Sequence, residues 1–222
     1  GLMAYIMTRT DFYGIVFHSW MNPISPDLAI LGVEDQSLTR IISSIVFSAN
    51  TVYYKLTIGL LVGFIFMYYI FRSGSFVKNI DNVIGGFIVG SIVVLAWYLT
   101  GSTLGQEWIE TNDFLDSPLP GVGVQSFTFI NPMGESIIYL SKSADIYYLT
   151  FGVAALFSVI LGSFVYSIAS RNFRIEWFQS KEDLKRHVIG AVLIGIGGVL
   201  SMGCTIGQGV SGVSTLALGS FI

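Results

Sequence analysis

The sequence predicts an all-α integral membrane protein, a helical bundle in which some helices are interrupted. Charged residues make up 11% of the 222 residues and the mean hydropathy is +0.71, whereas a soluble domain has roughly 25% charged residues. Residues 188–222 carry no charge, yet the middle of this run is rich in glycine and hydroxyl side chains. Irregular backbone survives at membrane depth only where protein encloses it. Such a run is therefore typical of a broken helix that lines a cavity.

Four segments with few or no charges are predicted to span the membrane, since a hydrocarbon core of ~30 Å needs about 20 helical residues. They are residues 52–71, residues 82–100, residues 146–170 and a fourth segment that starts at His187. We expect the fourth helix to break at Gly203, which would leave Cys204 within the membrane. The alternative is a normal span with Cys204 at the far surface. The glycines nearby are expected to pack helices together: Gly195, Gly197, Gly198, Gly207, Gly209 and Gly212.

The charges between the spans predict their orientation. The loops that join spans one to two and three to four are basic, and the loop between spans two and three is acidic. The positive-inside rule places the two basic loops in the cytoplasm. Ser180, with Asp183 three residues on, is predicted to cap the helix that leads into the fourth span.

The acidic loop, residues 101–145, is too long for a simple turn. Residues 106–116 are predicted to form an amphipathic piece, and residues 121–140 are apolar again. Asn131 is expected to cap a short helix with Pro132 in its first position. The apolar part is either a re-entrant segment that faces Cys204 or a lid on the solvent side. The sequence leaves both interpretations open.

The first residues differ from the rest. Residues 1–7 are typical of the tail of a span, Pro23 and Pro26 mark a loop, and residues 38–47 favour a short amphipathic helix. We therefore divide the chain into residues 1–51 (partial helix, linker and amphipathic helix) and residues 52–222. The second part contains the four spans and the Cys204 segment. Both ends lie within apolar sequence, and we expect the chain to be part of a longer protein.

Seven motifs carry a family resemblance. They are DNVIGG at 81–86, WYLTG at 97–101, GVQSFTFINP at 123–132, FRIE at 173–176, DLKRH at 183–187, GCTIGQGVSG at 203–212 and STLALGS at 214–220. The chain resembles the C-terminal half of the YeeE/YedE family of inner-membrane sulfur transporters. That resemblance implies one half of an inverted-repeat, hourglass-shaped transporter that imports thiosulfate or a related compound through a bacterial inner membrane. The cysteine motifs of the family's first half are missing here.

The resemblance also places Cys204 on the substrate path. Thiosulfate is a divalent anion, and an isolated charge costs tens of kcal/mol to transfer into an apolar medium. We expect the neutral thiol of Cys204 to be a weak S–H donor, because a conducting site must also release what it binds. The other expected substrate-binding residues offer hydroxyl, amide or backbone N–H groups at a following half-helix: Thr205, Gly207, Gln208, Ser211, Gln125 and Ser126.

Two other functions remain open. A membrane-embedded sulfur-transfer enzyme with Cys204 as nucleophile would need a nearby general base, and His187 lies about four helical turns away. A non-transporting half-subunit would leave apolar faces for a partner. With one cysteine and two histidines, we expect no metal site and no cofactor. The expected partners are the lipid bilayer, the missing N-terminal half or a second subunit and, from the resemblance, a small cytoplasmic sulfur-carrier protein, with no nucleic acid.

Overall fold

A computed structural model describes residues 1–12, 14–21, 23–24, 37–38, 41, 51–119 and 121–221. The regular elements of these residues are helices, and Ser37 and Ala217 form one isolated β-bridge. The α-helices are α1 (Leu2–Arg9), α2 (Thr51–Arg72), α3 (Gly74–Lys78), α4 (Ile80–Gly101), α5 (Thr103–Asp113), α6 (Ile130–Ser141), α7 (Phe151–Ala169) and α8 (Lys181–Leu200). Two π-helices, Gly14–Met21 and Gly207–Gly212, and two 3₁₀ turns, Ile146–Tyr148 and Leu218–Ser220, complete the described helices. The all-α prediction is confirmed for these residues.

Among the described residues, two helices are long and apolar enough to cross a membrane, α4 and α7. They correspond to the second and third predicted spans. The apolar stretch of the first predicted span, Leu56–Arg72, is shorter. The fourth predicted span lies within α8, whose first six residues include five charged side chains. The helical character of all four segments is therefore confirmed, and spanning length is confirmed for two.

Local capping explains where several helices begin. The Ser180 hydroxyl accepts the backbone N–H of Asp183 at 3.1 Å, as the sequence predicted for the start of α8. The third span begins later than expected, because the Thr150 hydroxyl caps α7 through the N–H of Val153. Helix α6 begins at Ile130, one residue before the predicted cap. Asn131 therefore lies inside the first turn of α6 and is not its cap. Backbone N–H groups in a first turn have no hydrogen-bond partner within the helix.

The buried apolar side chains gather at one end of the helices. We call this region the Cys204 end: the C-terminal ends of α4 and α8, the N-terminal end of α7, and residues 121–135 and 201–214. Its buried apolar residues are Val93, Ala96, Ile130, Val153, Ala155 and Val199, and α1 adds Ala4 and Met7. The opposite ends of α4, α7 and α8, next to the basic loops, form what we call the basic end.

Glycine allows two close helix contacts at the Cys204 end. A Cβ on Gly152 in α7 would lie 2.5 Å from Pro132 in α6, and a Cβ on Gly198 in α8 would lie 2.5 Å from Ile130. Both contacts hold the start of α6 between α7 and α8. The packing role predicted for Gly198 is therefore confirmed, whereas Gly197 and Gly209 have no neighbour within 4 Å of a built Cβ.

Several expectations for the first part of the chain fall outside the described residues. Pro26 and most of the predicted helix over residues 38–47 lie there. Pro23 lies in a turn, and α1 covers Leu2–Arg9. That residues 1–7 are the tail of a membrane span stays a prediction. The predicted amphipathic piece over residues 106–116 corresponds to α5. The division at residue 51 stays a prediction.

Candidate functional site

The candidate site lies where the chain breaks after α8. The helix ends at Leu200, and Met202 takes a left-handed conformation with φ 54°. A second helical segment starts at Thr205 and continues through Gly207–Gly212. The predicted interruption near Gly203 is therefore present. It places Cys204 between two helical segments rather than inside one continuous helix.

Cys204 combines partial burial with one polar contact. Its Sγ accepts the backbone N–H of Gly207 at 3.3 Å, which satisfies one of the free N–H groups at the start of the second helical segment. The rest of the side chain packs against the buried cluster of Ala4, Met7, Phe17, Ile130 and Val199. Because the sulfur acts only as an acceptor in this contact, the S–H group remains able to donate to another acceptor.

The Gln208 side chain links the two sides of the helix break through hydrogen bonds. Its Nε2 donates to the carbonyl of Ser201 at 3.0 Å, and its Oε1 accepts the hydroxyl of Ser220 at 2.6 Å. A Cβ on Gly203 would lie 3.0 Å from the Gln208 side chain, so the glycine also makes room for it. The amide predicted to bind substrate therefore holds the end of α8 and the C-terminal segment in place.

The segment over residues 125–129 runs without helix along the second helical segment. Ser211 is buried and donates to the carbonyl of Phe127 at 2.6 Å. On the other side, Ser126 donates to the carbonyl of Val93 in α4 at 3.2 Å. The structure thus brings the predicted Gln125 and Ser126 segment into contact with the Cys204 segment. Both serine hydroxyls donate to protein carbonyls.

Gln125 is fixed through its backbone as well as its side chain. Its N–H donates to the Thr100 hydroxyl at 3.1 Å, and its carbonyl accepts the same hydroxyl at 2.7 Å. Its side-chain Nε2 donates to the carbonyl of Gly121. Gln125 therefore positions the non-helical segment against α4. Thr205, by contrast, is exposed.

Sequence reasoning missed Thr128, whose hydroxyl faces the position that Gly207 leaves empty. A Cβ on Gly207 would lie 2.8 Å from Thr128 Oγ1 and 3.7 Å from Cys204 Sγ. The hydroxyl and the thiol therefore both lie next to one glycine. The sequence did show that Thr128 carries a hydroxyl in the same polar run as Gln125 and Ser126. Only Gln125 and Ser126 were selected from that run as substrate-binding residues.

Among the described residues, no acid or base contacts the Cys204 thiol. His187 binds the carbonyl of Asp183 at 2.8 Å through Nδ1, near the start of α8, whereas Cys204 follows its other end. No group of three or more metal-ligating side chains occurs in the ranges that the structure describes.

A second polar cluster joins three helices close by. Arg9 at the end of α1 contacts Glu135 of α6 at 3.0 Å, and the Thr150 hydroxyl donates to the other carboxylate oxygen at 2.8 Å. The side chains of Arg9 and Glu135 are 22% and 7% exposed. Sequence reasoning counted Glu135 only as part of an acidic loop. Its position in the apolar run over residues 130–140 was the available signal of burial.

This cluster lines a cavity of about 410 Å³, which we call the Arg9 cavity. Its lining includes Thr8, Arg9, Gly121, Asn131, Glu135 and Met202. Gly121 has a φ of +86°, and a Cβ there would collide with a Glu135 carboxylate oxygen. The cavity is therefore formed partly by backbone that only glycine fits without strain.

Comparison with known proteins adds two findings to this geometry. Residues 28–222 match the family described as Sulphur transport. The chain is also 29% identical over 135 residues to the thiosulfate transporter TsuA of Escherichia coli (strain K12). That alignment covers 61% of this chain and 33% of the transporter, so the chain matches about a third of its length. No solved structure gives a significant match.

Proposed function

The chain belongs to the sulphur transport family, and from that membership we propose that it forms part of a membrane path that imports thiosulfate or a related small sulfur anion. The family supports transport of a sulfur compound. The similarity to a thiosulfate transporter favours thiosulfate among such compounds. The polar break around Cys204, next to helices of spanning length, is the place where such a path fits best.

One observation carries the residue-level proposal: the thiol of Cys204 and the hydroxyl of Thr128 both lie next to Gly207. Since Sγ already accepts the Gly207 N–H, its S–H group is the part available to an anion. A thiol is a weak donor. Weak donors suit conduction, because an anion held by strong charge pairs would leave slowly.

The remaining predicted site residues support this path in two ways. Thr205 offers an exposed hydroxyl beside Cys204. We assign the hydroxyls of Thr205 and Thr128 to contact with the substrate. Gln208, Ser211, Gln125 and Ser126 hold the two segments together through the hydrogen bonds described above. Gly207 has no side chain that would crowd the Thr128 hydroxyl.

The path is completed by other parts of the assembly. The apolar surfaces of α4 and α7 face the lipid bilayer of a bacterial inner membrane, with the basic end in the cytoplasm. Further protein, either the rest of a longer chain or a second subunit, covers the other side of the path. A cytoplasmic sulfur-carrier protein receives the anion. We favour transport over sulfur transfer because the described contacts of Sγ include no acid or base.

The test is thiosulfate uptake by cells that depend on it, with the full-length protein carrying Cys204→Ala or Cys204→Ser. Serine keeps an acceptor for the Gly207 N–H, so it separates helix capping from the chemistry of the thiol. We expect the alanine variant to reach normal abundance in the membrane and to lose at least about fivefold in uptake, since about 1 kcal/mol of hydrogen bonding is removed.

The control is Ser167→Ala, which removes an exposed hydroxyl bonded to the carbonyl of Phe164 at the basic end of α7. It should leave uptake unchanged. If Cys204→Ala transports thiosulfate as well as the wild type, the thiol is packing material and the substrate route lies elsewhere.

A further inference from the structure

The Arg9 cavity has the features of a binding site that is separate from the Cys204 thiol. Its volume of about 410 Å³ falls in the roughly 300–1,000 Å³ range of small-molecule sites. Arg9 is the only cation among its described lining residues. Met202 also lines it, two positions before Cys204 in the chain. An anion in this cavity would therefore lie beside the segment that carries the thiol.

Arg9 is incompletely paired in the structure. Glu135 takes one N–H of its guanidinium at 3.0 Å, while Nε is buried and has no hydrogen-bond partner. A buried donor without a partner is costly. A guanidinium binds an oxyanion with two parallel N–H donors, so an anion can satisfy the fork better than the single contact to Glu135 does.

We propose that the Arg9 cavity binds a small divalent oxyanion, and that Arg9 passes from Glu135 to the anion while Glu135 takes up one proton. The exchange is balanced: one N–H···O ion pair breaks, another forms with the oxyanion, and the carboxylate gains a proton from solvent. The assignment rests on the proposed transport function, which supplies thiosulfate as the substrate. It makes import of the anion dependent on a proton.

The surroundings of Glu135 favour protonation once Arg9 leaves. Arg9 is the only charged side chain of α1, and α7 supplies the uncharged hydroxyl of Thr150. The ammonium of Gly1 lies at the opposite end of α1, 4.0 Å from Met133 Sδ. The charged residues of α8 all lie at its far end, within its first six positions. Lys142 and Asp145 follow the opposite end of α6 and are exposed. A carboxylate that loses its only cationic partner in a buried site becomes neutral.

The titration of Glu135 agrees with this geometry. Helix α6 lies outside the two candidate membrane spans. Burial raises the pKa of the Glu135 carboxyl above its ordinary value, and this outweighs the opposite effects of the Thr150 hydrogen bond and of Arg9. Removal of the Arg9 contact takes away two of the three influences that lower this pKa, so the bound anion and the proton on Glu135 favour each other.

The test is calorimetric titration of thiosulfate into the purified full-length protein, in buffers of different ionisation enthalpy and from mildly acidic to mildly alkaline solution. For the wild type we expect uptake of close to one proton per anion. Its affinity should rise as the pH falls, by at most about tenfold per pH unit, which is the limit for one linked proton.

Three variants separate binding from folding. Arg9→Gln should weaken binding roughly tenfold to a hundredfold, as expected for the loss of hydrogen bonds to a charged group. Glu135→Gln imitates the protonated acid, so it should bind thiosulfate with no proton uptake and no dependence on pH. Asn131→Asp adds a negative charge at an exposed lining position in the first turn of α6, where acidic residues are tolerated, and should weaken binding without loss of thermal stability.

Arg186→Gln is the matched control, because Arg186 forms an exposed pair with Glu182 and lies at the basic end. Thiosulfate binding that is unchanged in both Arg9→Gln and Asn131→Asp overturns the cavity assignment, as does a pH dependence that persists in Glu135→Gln. If the wild type still imports thiosulfate in those cases, the proposed transport function survives. Absence of any thiosulfate binding or uptake by the wild type overturns both proposals.

Discussion

The two ends of the same helices differ in how they are held. At the Cys204 end, α4, α7 and α8 bury apolar side chains around the start of α6, and hydroxyl groups bridge between segments. At the basic end, the same helices expose large apolar side chains such as Phe87 (76%) and Tyr166 (74%). The described chain therefore provides the packing of one end only.

This difference indicates where the chain determines its own structure. Hydrogen bonds at the Cys204 end connect segments far apart in sequence, such as Ser211 to Phe127 and Thr150 to Glu135. At the basic end the hydrogen bonds of the described residues are local, such as Ser167 to Phe164. Lipid or further protein is needed to cover the basic end, whereas the contacts around Cys204 are made within this chain.

The largest effect should come from adjacent glycines of α8. Gly198→Ala places a methyl group 2.5 Å from the buried Ile130, and overpacking of this kind costs about 1–3 kcal/mol. Gly197→Ala meets no atom within 4 Å, so it should stabilise the helix by up to about 1 kcal/mol. Thermal unfolding in detergent should therefore shift in opposite directions for the two variants.

Gly197→Ala is the control for Gly198→Ala. Both variants replace glycine with alanine, and they differ only in the face of α8 that carries the new methyl group. Equal shifts for the two variants would mean that Ile130 does not pack against Gly198 in the folded protein. The contrast between a packed and an open face at the Cys204 end would then be wrong.

A smaller effect is expected from Ser211→Ala. The change leaves the Phe127 carbonyl without its 2.6 Å hydrogen bond in a buried position, at a cost of about 1–2 kcal/mol. The same change at Ser167, whose bond at the basic end is local and exposed, should stay within about 0.5 kcal/mol. Chemical denaturation of the two variants in parallel measures the difference, and equal losses would contradict the distinction between bridging and local serines.

The sequence predicted the features that depend on local chemistry. The hydroxyl of Ser180 caps α8 because the spacing to Asp183 suits a cap, and the helix breaks near Gly203 where glycine and polar residues cluster. The Cys204 segment and the segment at Gln125 were both identified. Whether their side chains bind substrate stays a prediction.

The remainder depends on contacts between distant segments. The burial of Glu135 requires Arg9, which lies 126 positions away, and charge alone placed Glu135 in a solvated loop. The contact of Thr128 with Gly207 likewise requires the non-helical run to lie against the second helical segment. The sequence alone could not show that Gly198 packs against another helix and Gly197 does not, because only the fold shows which face of α8 is packed.

The smallest effect should come from the ion pair at the basic end. Arg186 and Glu182 are 3.4 Å apart with side chains 77% and 76% exposed, against 22% and 7% for Arg9 and Glu135. Solvent screens an exposed pair, and its loss costs about 0.5 kcal/mol or less. Removal of Arg9 from the buried pair should cost more than this, because Glu135 then has to take up a proton to remain buried. Thermal unfolding of Arg186→Gln should therefore match the wild type, and a loss as large as that of Arg9→Gln would mean that further structure buries the basic end.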